Sequence, residues 1–229
     1  MQSQKRNKTN MNMKRNILTI IFTAALLTAS ANPSSNPFDT NSIPSIREAW
    51  TGKSIKVSRG ENAPGIKEFT RAFCITYPQF DPNTAVKNYL DNPKGSTHPD
   101  VVNLELDTKN GYINYMACPT ECCNYLSTCY WKRSNDHRLF AAFMQAEFEN
   151  RQPHVLVVFY DYDPATNTMT PEPSITDMIE QRMAKYGSYT IQLPQEGKDI
   201  TLIGYIIDEE NDSATSEEQQ LKWNGMNFE

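Results

Sequence analysis

The chain of 229 residues is acidic, with 22 lysines and arginines against 27 aspartates and glutamates and a formal net charge of −5, and 38% of its residues are hydrophobic. A balance of this sign repels nucleic acid and anionic lipid, which excludes both as partners. The five cysteines make the redox compartment a central question.

Met1, Met11 and Met13 could each start the chain. From Met11 the sequence has the three parts of a secretory signal: a basic start at Lys14 and Arg15, an apolar run from Ile17 to Leu27, and Ala29-Ser30-Ala31 as a small-x-small cleavage site. A spanning helix needs about 20 apolar residues. This run is shorter and is interrupted by Thr19 and Thr23, so cleavage after Ala31 is predicted and no membrane span remains. A lipid anchor would need a cysteine directly after the cut, where Asn32 stands. The product is expected to be periplasmic or secreted. Removing the signal takes five basic residues and no acid, which moves the net charge to −10.

Residues 32–54, rich in Pro, Ser and Asn, read as a flexible leader, and residues 55–229 as a single domain. Ile66, Phe69, Phe73 and Tyr77 recur at helical spacing until Pro78, with Thr70 and Cys74 on the flank of the stripe. A second helix is predicted from Asp81 as N-cap and Pro82 at the first helical position, burying Ala85, Val86, Tyr89 and Leu90 before the Asp91-Asn92-Pro93 breaker.

From Val101 the period becomes two. Val102, Leu104 and Leu106 alternate with polar residues, and Asn110-Gly111 reads as a two-residue turn that would pair Asp107 with Asn114 and Leu106 with Tyr115. Strands follow at Tyr125 to Lys132, Leu139 to Phe148 and His154 to Tyr162. One side of the second of these turns polar at Gln145 and Glu147, whereas Val155 to Tyr160 is apolar on both sides, so the sheet should be covered on both faces near its centre. A third helix is predicted after Pro173, capped by Ser174, with Ile175, Met178, Ile179, Met183 and Tyr186 as its stripe. Strands at Tyr189 to Leu193 and Ile200 to Ile207 come next, then Asp208 to Gln220 as a solvated acidic loop, and Leu221 to Phe228 as a terminal hairpin or edge strand. The fold class is therefore α+β: an antiparallel meander with two N-terminal helices and one inserted helix.

Cys118, Cys122, Cys123 and Cys129 lie close together, and in an oxidising compartment such a group forms disulfides. Two bridges are expected, with Cys118 joined to Cys122 or Cys123, and Cys74 left as a buried thiol. The alternative is a zinc site completed by His137 or His98, but adjacent Cys122 and Cys123 do not easily both reach one tetrahedral ion. A C-x-x-C redox motif is absent. Asp161, Asp163 and Asn167 resemble the start of a calcium loop, but Ala165 and Thr166 break its pattern and a hairpin turn explains them better. His98, His137 and His154 have no neighbour in sequence that makes a catalytic triad legible, and no phosphate loop, H-E-x-x-H or G-x-S-x-G occurs. No catalytic residue, metal ligand or cofactor is assigned. The strand aromatics Tyr130, Trp131, Tyr160 and Tyr162 are the candidates for stacking on a ligand, against the plainer reading that they pack the sheet.

The runs Tyr130-Trp131-Lys132-Arg133, Phe159-Tyr160-Asp161-Tyr162-Asp163-Pro164, Leu193-Pro194-Gln195-Glu196-Gly197-Lys198-Asp199-Ile200 and Trp223-Asn224-Gly225-Met226-Asn227-Phe228 resemble a group of exported proteins of Bacteroidetes-type bacteria. The resemblance spans roughly Ile66 to Phe228, does not include the cysteine group, and implies a Gram-negative envelope while transferring no site. Taken together, the sequence favours an exported, non-enzymatic binding or interaction module of the bacterial envelope whose ligand it leaves unknown, with a glycan, a peptide or a protein as the candidates. A secreted hydrolase is the alternative, and a purely structural envelope protein a third class.

Overall fold

The alternation that begins at Val101 becomes a continuous antiparallel meander. The computed structural model describes residues 50–60, 62–94, 101–118, 122–148, 154–208 and 213–229. The segment predicted as a signal, with Ala29 and Ala31, the part of the predicted leader before Trp50, and His98 lie outside the described residues. In chain order the elements are β1 (Ile55–Lys56), α1 (Ile66–Thr76), α2 (Asp81–Asp91), β2 (Val101–Asp107), β3 (Tyr112–Ala117), β4 (Cys122–Lys132), β5 (Arg138–Phe148), β6 (His154–Asp163), β7 (Thr168–Pro171), α3 (Pro173–Met183), β8 (Ser188–Gln192), β9 (Ile200–Asp208) and β10 (Ser213–Leu221). Seven strands form one sheet in the order β1-β7-β6-β5-β4-β3-β2, and three form a second in the order β10-β9-β8. All pairings are antiparallel.

The large sheet carries a core on each face because its central strands are apolar on both sides. On one face Phe69, Phe73 and Tyr77, from α1 and the residue after it, pack with Val86 of α2 against Leu126, Phe140, Val158, Tyr160 and Tyr162. On the other, Ile175, Ile179 and Met183 of α3 join Ile191, Leu202 and Phe228 over Trp131, Leu139, Phe143, Val157 and Phe159. Each such side chain contributes roughly 1.5–3 kcal/mol when fully buried. The sequence repeats matter because they assign residues to these faces: even-numbered positions of β4, β5 and β6 face α1, and odd-numbered ones face α3.

Several expectations are corrected. The β2–β3 register pairs Asp107 with Tyr112, Leu106 with Ile113 and Leu104 with Tyr115, so the loop has four residues, Thr108 to Gly111. The cause is Asp107, whose carboxylate accepts hydrogen bonds from the Asn110 backbone N–H (3.0 Å) and side-chain amide (2.6 Å) and closes a wider turn. The shift preserves facing, because an even displacement leaves Leu104, Leu106, Ile113, Tyr115 and Ala117 on one side. Asp208 to Gln220 is not a loop throughout: Ser213–Leu221 pairs along β9 from Asp208 to Ile200. Its polar, mostly exposed side chains suit an edge strand, and the fully buried Leu221 anchors its end. Helix α2 has Phe80 at its N-cap, so Asp81 is already helical, and α3 is preceded by Glu172 with no side-chain cap bond, so Ser174 lies within it. Pro173, with φ preset for a helix, starts α3 one residue before the cap expected there. At the N-terminal side, Trp50 and Lys53 are held against the domain rather than free of it: the Trp50 Nε1–H donates to the Tyr160 hydroxyl (2.8 Å) and the Lys53 N–H to that of Tyr77 (3.0 Å).

Candidate functional site

The four rings considered for ligand stacking are distributed over both cores. Tyr160 and Tyr162 are fully buried beneath α1, with Phe69 4.9 Å from Tyr162 and the Tyr77 hydroxyl 3.1 Å from that of Tyr160. Tyr130 lies on the same face, edge-on to Phe69 and covered by the Arg138 guanidinium at 5.4 Å. Trp131, one residue on, points to the opposite core, where Trp223 stacks on it at 5.9 Å, Phe228 meets it edge-on at 5.1 Å, and its Nε1–H donates to the Lys198 carbonyl (2.8 Å). No shared open face unites them.

Cys118 is bonded to Cys123, which ties the β3–β4 connection at one end of the sheet. Cys129, expected to form a second bridge, is instead a buried free thiol, as is Cys74. Burial pushes both thiols well up from their ordinary range, which makes them poor nucleophiles and metal ligands at neutral pH. The Cys122 side chain lies outside the described residues. Among the described residues, no group of three or more His, Cys, Asp or Glu side chains is arranged to hold a metal ion, and no helix is long and apolar enough to cross a membrane. The Asp163 carboxylate accepts from Ala165 N–H (2.7 Å) and the Thr166 hydroxyl (3.0 Å), so it closes the β6–β7 turn, with Asn167 at φ 52°.

Two clusters of polar side chains stand out from the cores. The first is built on Arg133, only 8% exposed, whose Nη1 meets Asp161 at 2.5 Å, whose Nη2 lies 2.7 Å from Glu172 and whose Nε–H donates to the Met226 carbonyl at 2.8 Å. His137 reaches the other oxygen of Asp161 through Nδ1 at 2.6 Å. This is a histidine beside an acid, which the sequence had not made legible. Its Nε2, however, faces a second carboxylate, Asp163 at 3.9 Å, rather than a hydroxyl or thiol. Arg133 joins the β4–β5 turn, β6, the start of α3 and the C-terminal segment, which is the arrangement of a structural tie.

The second cluster lies where the polar part of this face of the large sheet meets β8 of the small sheet, joined by the Thr190–Gln145 hydrogen bond; this corner is the trough. The register aligns Glu105, Asn114, Ser127 and Phe143 in one row across β2 to β5, and Met116, Tyr125 and Gln145 in the next. All of these are odd in β2, β4 and β5 or even in β3, and so face the same side as the α3 core. Over β5 and β6 that side is covered, yet over β2 to β4 the positions turn polar and half-buried. The wall of the trough is the face of β8 and β9 turned away from α3, with Thr190, Ile203 and Tyr205 half-buried along it. The corner is fixed by Thr190, whose hydroxyl donates to the Gln145 amide oxygen at 3.0 Å. Gln195 closes one end by donating to Glu105, and the Cys118–Cys123 bridge lies toward the other.

Within the trough the polar groups are ordered by one another. The Ser127 hydroxyl donates to the Asn114 side-chain oxygen (2.7 Å), and Glu147 accepts from the Gln145 amide (2.5 Å) and the Tyr125 hydroxyl (3.2 Å). Partial burial, reinforced by the adjacent Glu147 carboxylate, pushes the Tyr125 phenol up to about 12 and raises that of Tyr205 as well. Tyr112 is raised chiefly by burial too. Partial burial is the common cause of the three shifts. The turn to Gln145 and Glu147 was visible in the sequence. The alignment with Asn114, Ser127 and Tyr125 was not, because it depends on pairing register.

Carboxylate geometry bears on the hydrolase alternative. Glu105 and Glu147 are three strands and four residues apart, about 20 Å between Cα atoms at sheet spacings. Paired-carboxylate glycoside hydrolysis uses roughly 5–9.5 Å between carboxyl groups. Asp107 is nearer to Glu105, but both of its oxygens are engaged by Asn110 in the turn. No protein-family model matches the chain, and neither a curated protein nor a solved structure matches it significantly.

Proposed function

We propose that this chain is an exported, non-enzymatic binding or interaction module of the bacterial envelope, and that its ligand, a glycan or a peptide, lies in the trough where the two sheets meet. The observation that carries this reading is the set of half-buried, mutually ordered polar side chains on Asn114, Ser127, Tyr125, Gln145 and Glu147. A solvated sheet face has no need to recess its polar groups, whereas a recognition surface gains from groups already fixed in place. Export rests on the signal-like segment ending at Ala31, and the Cys118–Cys123 disulfide is compatible with an oxidising compartment.

The test is a screen of the purified chain beginning at Asn32 against immobilised glycan and peptide libraries, with product formation followed in parallel. The expected outcome is saturable binding without turnover, weakened by Glu147→Gln and unchanged by Lys67→Gln on the outer side of α1. Turnover of any bound ligand would replace the binding module with the hydrolase.

A further inference from the structure

Two asparagines of the chain are followed by glycine, Asn110 and Asn224. This pair of residue types has a chemistry of its own: the glycine nitrogen, unhindered by a neighbouring side chain, can attack the asparagine Cγ and close a five-membered succinimide. Whether it does so in a folded protein depends on where the side chain is held.

At Asn224 the side chain is curled over the glycine nitrogen. Its Oδ1 accepts from the Met226 N–H (3.0 Å) and from the Asn227 N–H (2.9 Å). The first bond closes an Asx-turn, and the ring that it closes contains Cγ, Cβ, Cα and C of Asn224 and N of Gly225, which are the atoms of the succinimide. Both N–H groups also point at the oxygen on which negative charge develops when Cγ becomes tetrahedral, as the donors of an oxyanion hole do. Asn224 is exposed, a Cβ built on Gly225 would meet nothing within 4 Å, and among the described residues no backbone acceptor takes the Gly225 N–H.

Asn110 is held the other way. Its side-chain amide donates to Asp107 at 2.6 Å and its backbone N–H to the same carboxylate at 3.0 Å, which draws the side chain toward a residue that precedes it. Gly111 is packed beneath Tyr130 so closely that a Cβ would come within 2.5 Å of the ring, so its peptide has little room to turn into line. Asn135 has the turn without the glycine: its Oδ1 accepts from the His137 N–H (3.2 Å), but the next residue is Asp136, whose side chain hinders the nitrogen.

We propose that Asn224 is a site of spontaneous deamidation in the folded protein. A base in solution takes the Gly225 amide proton, the nitrogen bonds to Cγ, and the side-chain nitrogen leaves as ammonia after taking a proton from solvent. One water then opens the ring, giving aspartate when it adds at Cγ and isoaspartate when it adds at the former backbone carbonyl. Isoaspartate lengthens the main chain by one methylene in a turn whose Gly225 carbonyl accepts from the Ser134 N–H (3.0 Å) and whose Met226 carbonyl accepts from Arg133 (2.8 Å). The modification therefore slackens the C-terminal segment where Trp223 stacks on Trp131.

The chain beginning at Asn32 is kept at mildly alkaline pH, folded and in denaturant, while peptide mapping and isoaspartyl methyltransferase labelling follow both Asn-Gly sites. The expected result in the folded protein is conversion at Asn224 at least about tenfold faster than at Asn110, with the two rates drawing together in denaturant. Both aspartate and isoaspartate should appear, and the isoaspartate fraction should unfold at a lower temperature than the Asn224→Asp variant. Conversion at Asn224 no faster than at Asn110 in the folded protein would overturn the proposal. So would rates that stay equally far apart in denaturant, because the fold would then not be the cause, and so would aspartate without isoaspartate, the mark of direct hydrolysis. A midpoint equal to that of Asn224→Asp would overturn the slackening.

Discussion

Gly204 of β9 lies beneath the ring of Tyr186, so close that a Cβ built on the glycine would come within 2.4 Å of the ring carbons. Tyr186 follows α3, and its hydroxyl donates to Glu217 (2.5 Å) and accepts from Gln219 (3.0 Å), both on β10. The ring therefore lies flat on the backbone of the central strand of the small sheet while its hydroxyl holds the outer one. This contact sets how closely the end of α3 approaches the sheet that forms the trough wall.

Gly204→Ala should destabilise the domain by about 1–3 kcal/mol, because the methyl group must displace a ring held at both ends. At roughly 2–4 °C per kcal/mol for a domain of this size, the thermal midpoint falls measurably. In the Tyr186→Ala background the same substitution should cost far less. A penalty for Gly204→Ala that is equally large with and without the ring would mean that the steric explanation is wrong.

Arg133 provides a second test. Its side chain is 8% exposed, whereas its partners Asp161 and Glu172 are 27% and 22% exposed. Arg133→Met keeps the stem but leaves two carboxylates facing each other without a cation, so a loss of about 3 kcal/mol is expected, the low end for breaking a buried pair because the acids retain some solvent. His137→Asn should cost under about 1 kcal/mol, as expected for a partly exposed pair. Urea unfolding of the two variants checks this ranking: a loss for His137→Asn as large as that for Arg133→Met would show that the histidine, not the guanidinium, ties these segments together.

These residues also show how far the sequence could be read. Period two between Val101 and Asp163 was enough for the meander, because both faces of a covered sheet must be apolar at its centre and Val155 to Tyr160 supplies this. Parity separated Tyr130 from Trp131, but identifying either as packing or stacking required knowing what covers each face, and the covers come from distant segments: α1 for one and the C-terminal Trp223 and Phe228 for the other. β10 escaped because its exposed polar side chains leave no periodic trace, and its pairing is carried by backbone groups. The trough was half legible. Gln145 and Glu147 broke an apolar alternation, whereas their neighbours on β3 and β4 are set by register.

Acid should weaken the fold through four aspartates. Asp91 is held below the usual carboxylate range by hydrogen bonds from Arg71 and then Lys87, Asp107 by the Asn110 backbone and side chain, Asp163 by the Ala165 N–H and then Thr166, and Asp199 by Lys222 and then the Trp223 N–H. A carboxyl whose pKa is depressed on folding contributes stability that is fully present above its unfolded value, near pH 4, and is lost as the pH falls through the depressed folded value. The urea midpoint should therefore be flat from neutrality to about pH 5 and decline below about pH 4. Asp107→Asn and Asp199→Asn should each make that decline shallower. A midpoint that rises on acidification would contradict the assigned directions.

The cysteines divide by environment, and the division can be measured directly. Cys118 and Cys123 are five residues apart, and closing so short a loop restricts the unfolded chain by about 2 kcal/mol in the chain-entropy treatment. Replacing both by serine should lower stability by about that amount and loosen the end of the sheet where Cys123 pairs with Glu147, at the corner of the trough. Cys74 and Cys129 should resist alkylation in the native protein, because each thiol is enclosed and held in its neutral form, and should react once denaturant is added. Peptide mapping of protein alkylated before and after unfolding reads both at once. Rapid native labelling of Cys129 would show that β4 is open where it should be sealed beneath α3 and the C-terminal segment, and recovery of Cys118 joined to any residue but Cys123 would displace the bridge from the trough's end.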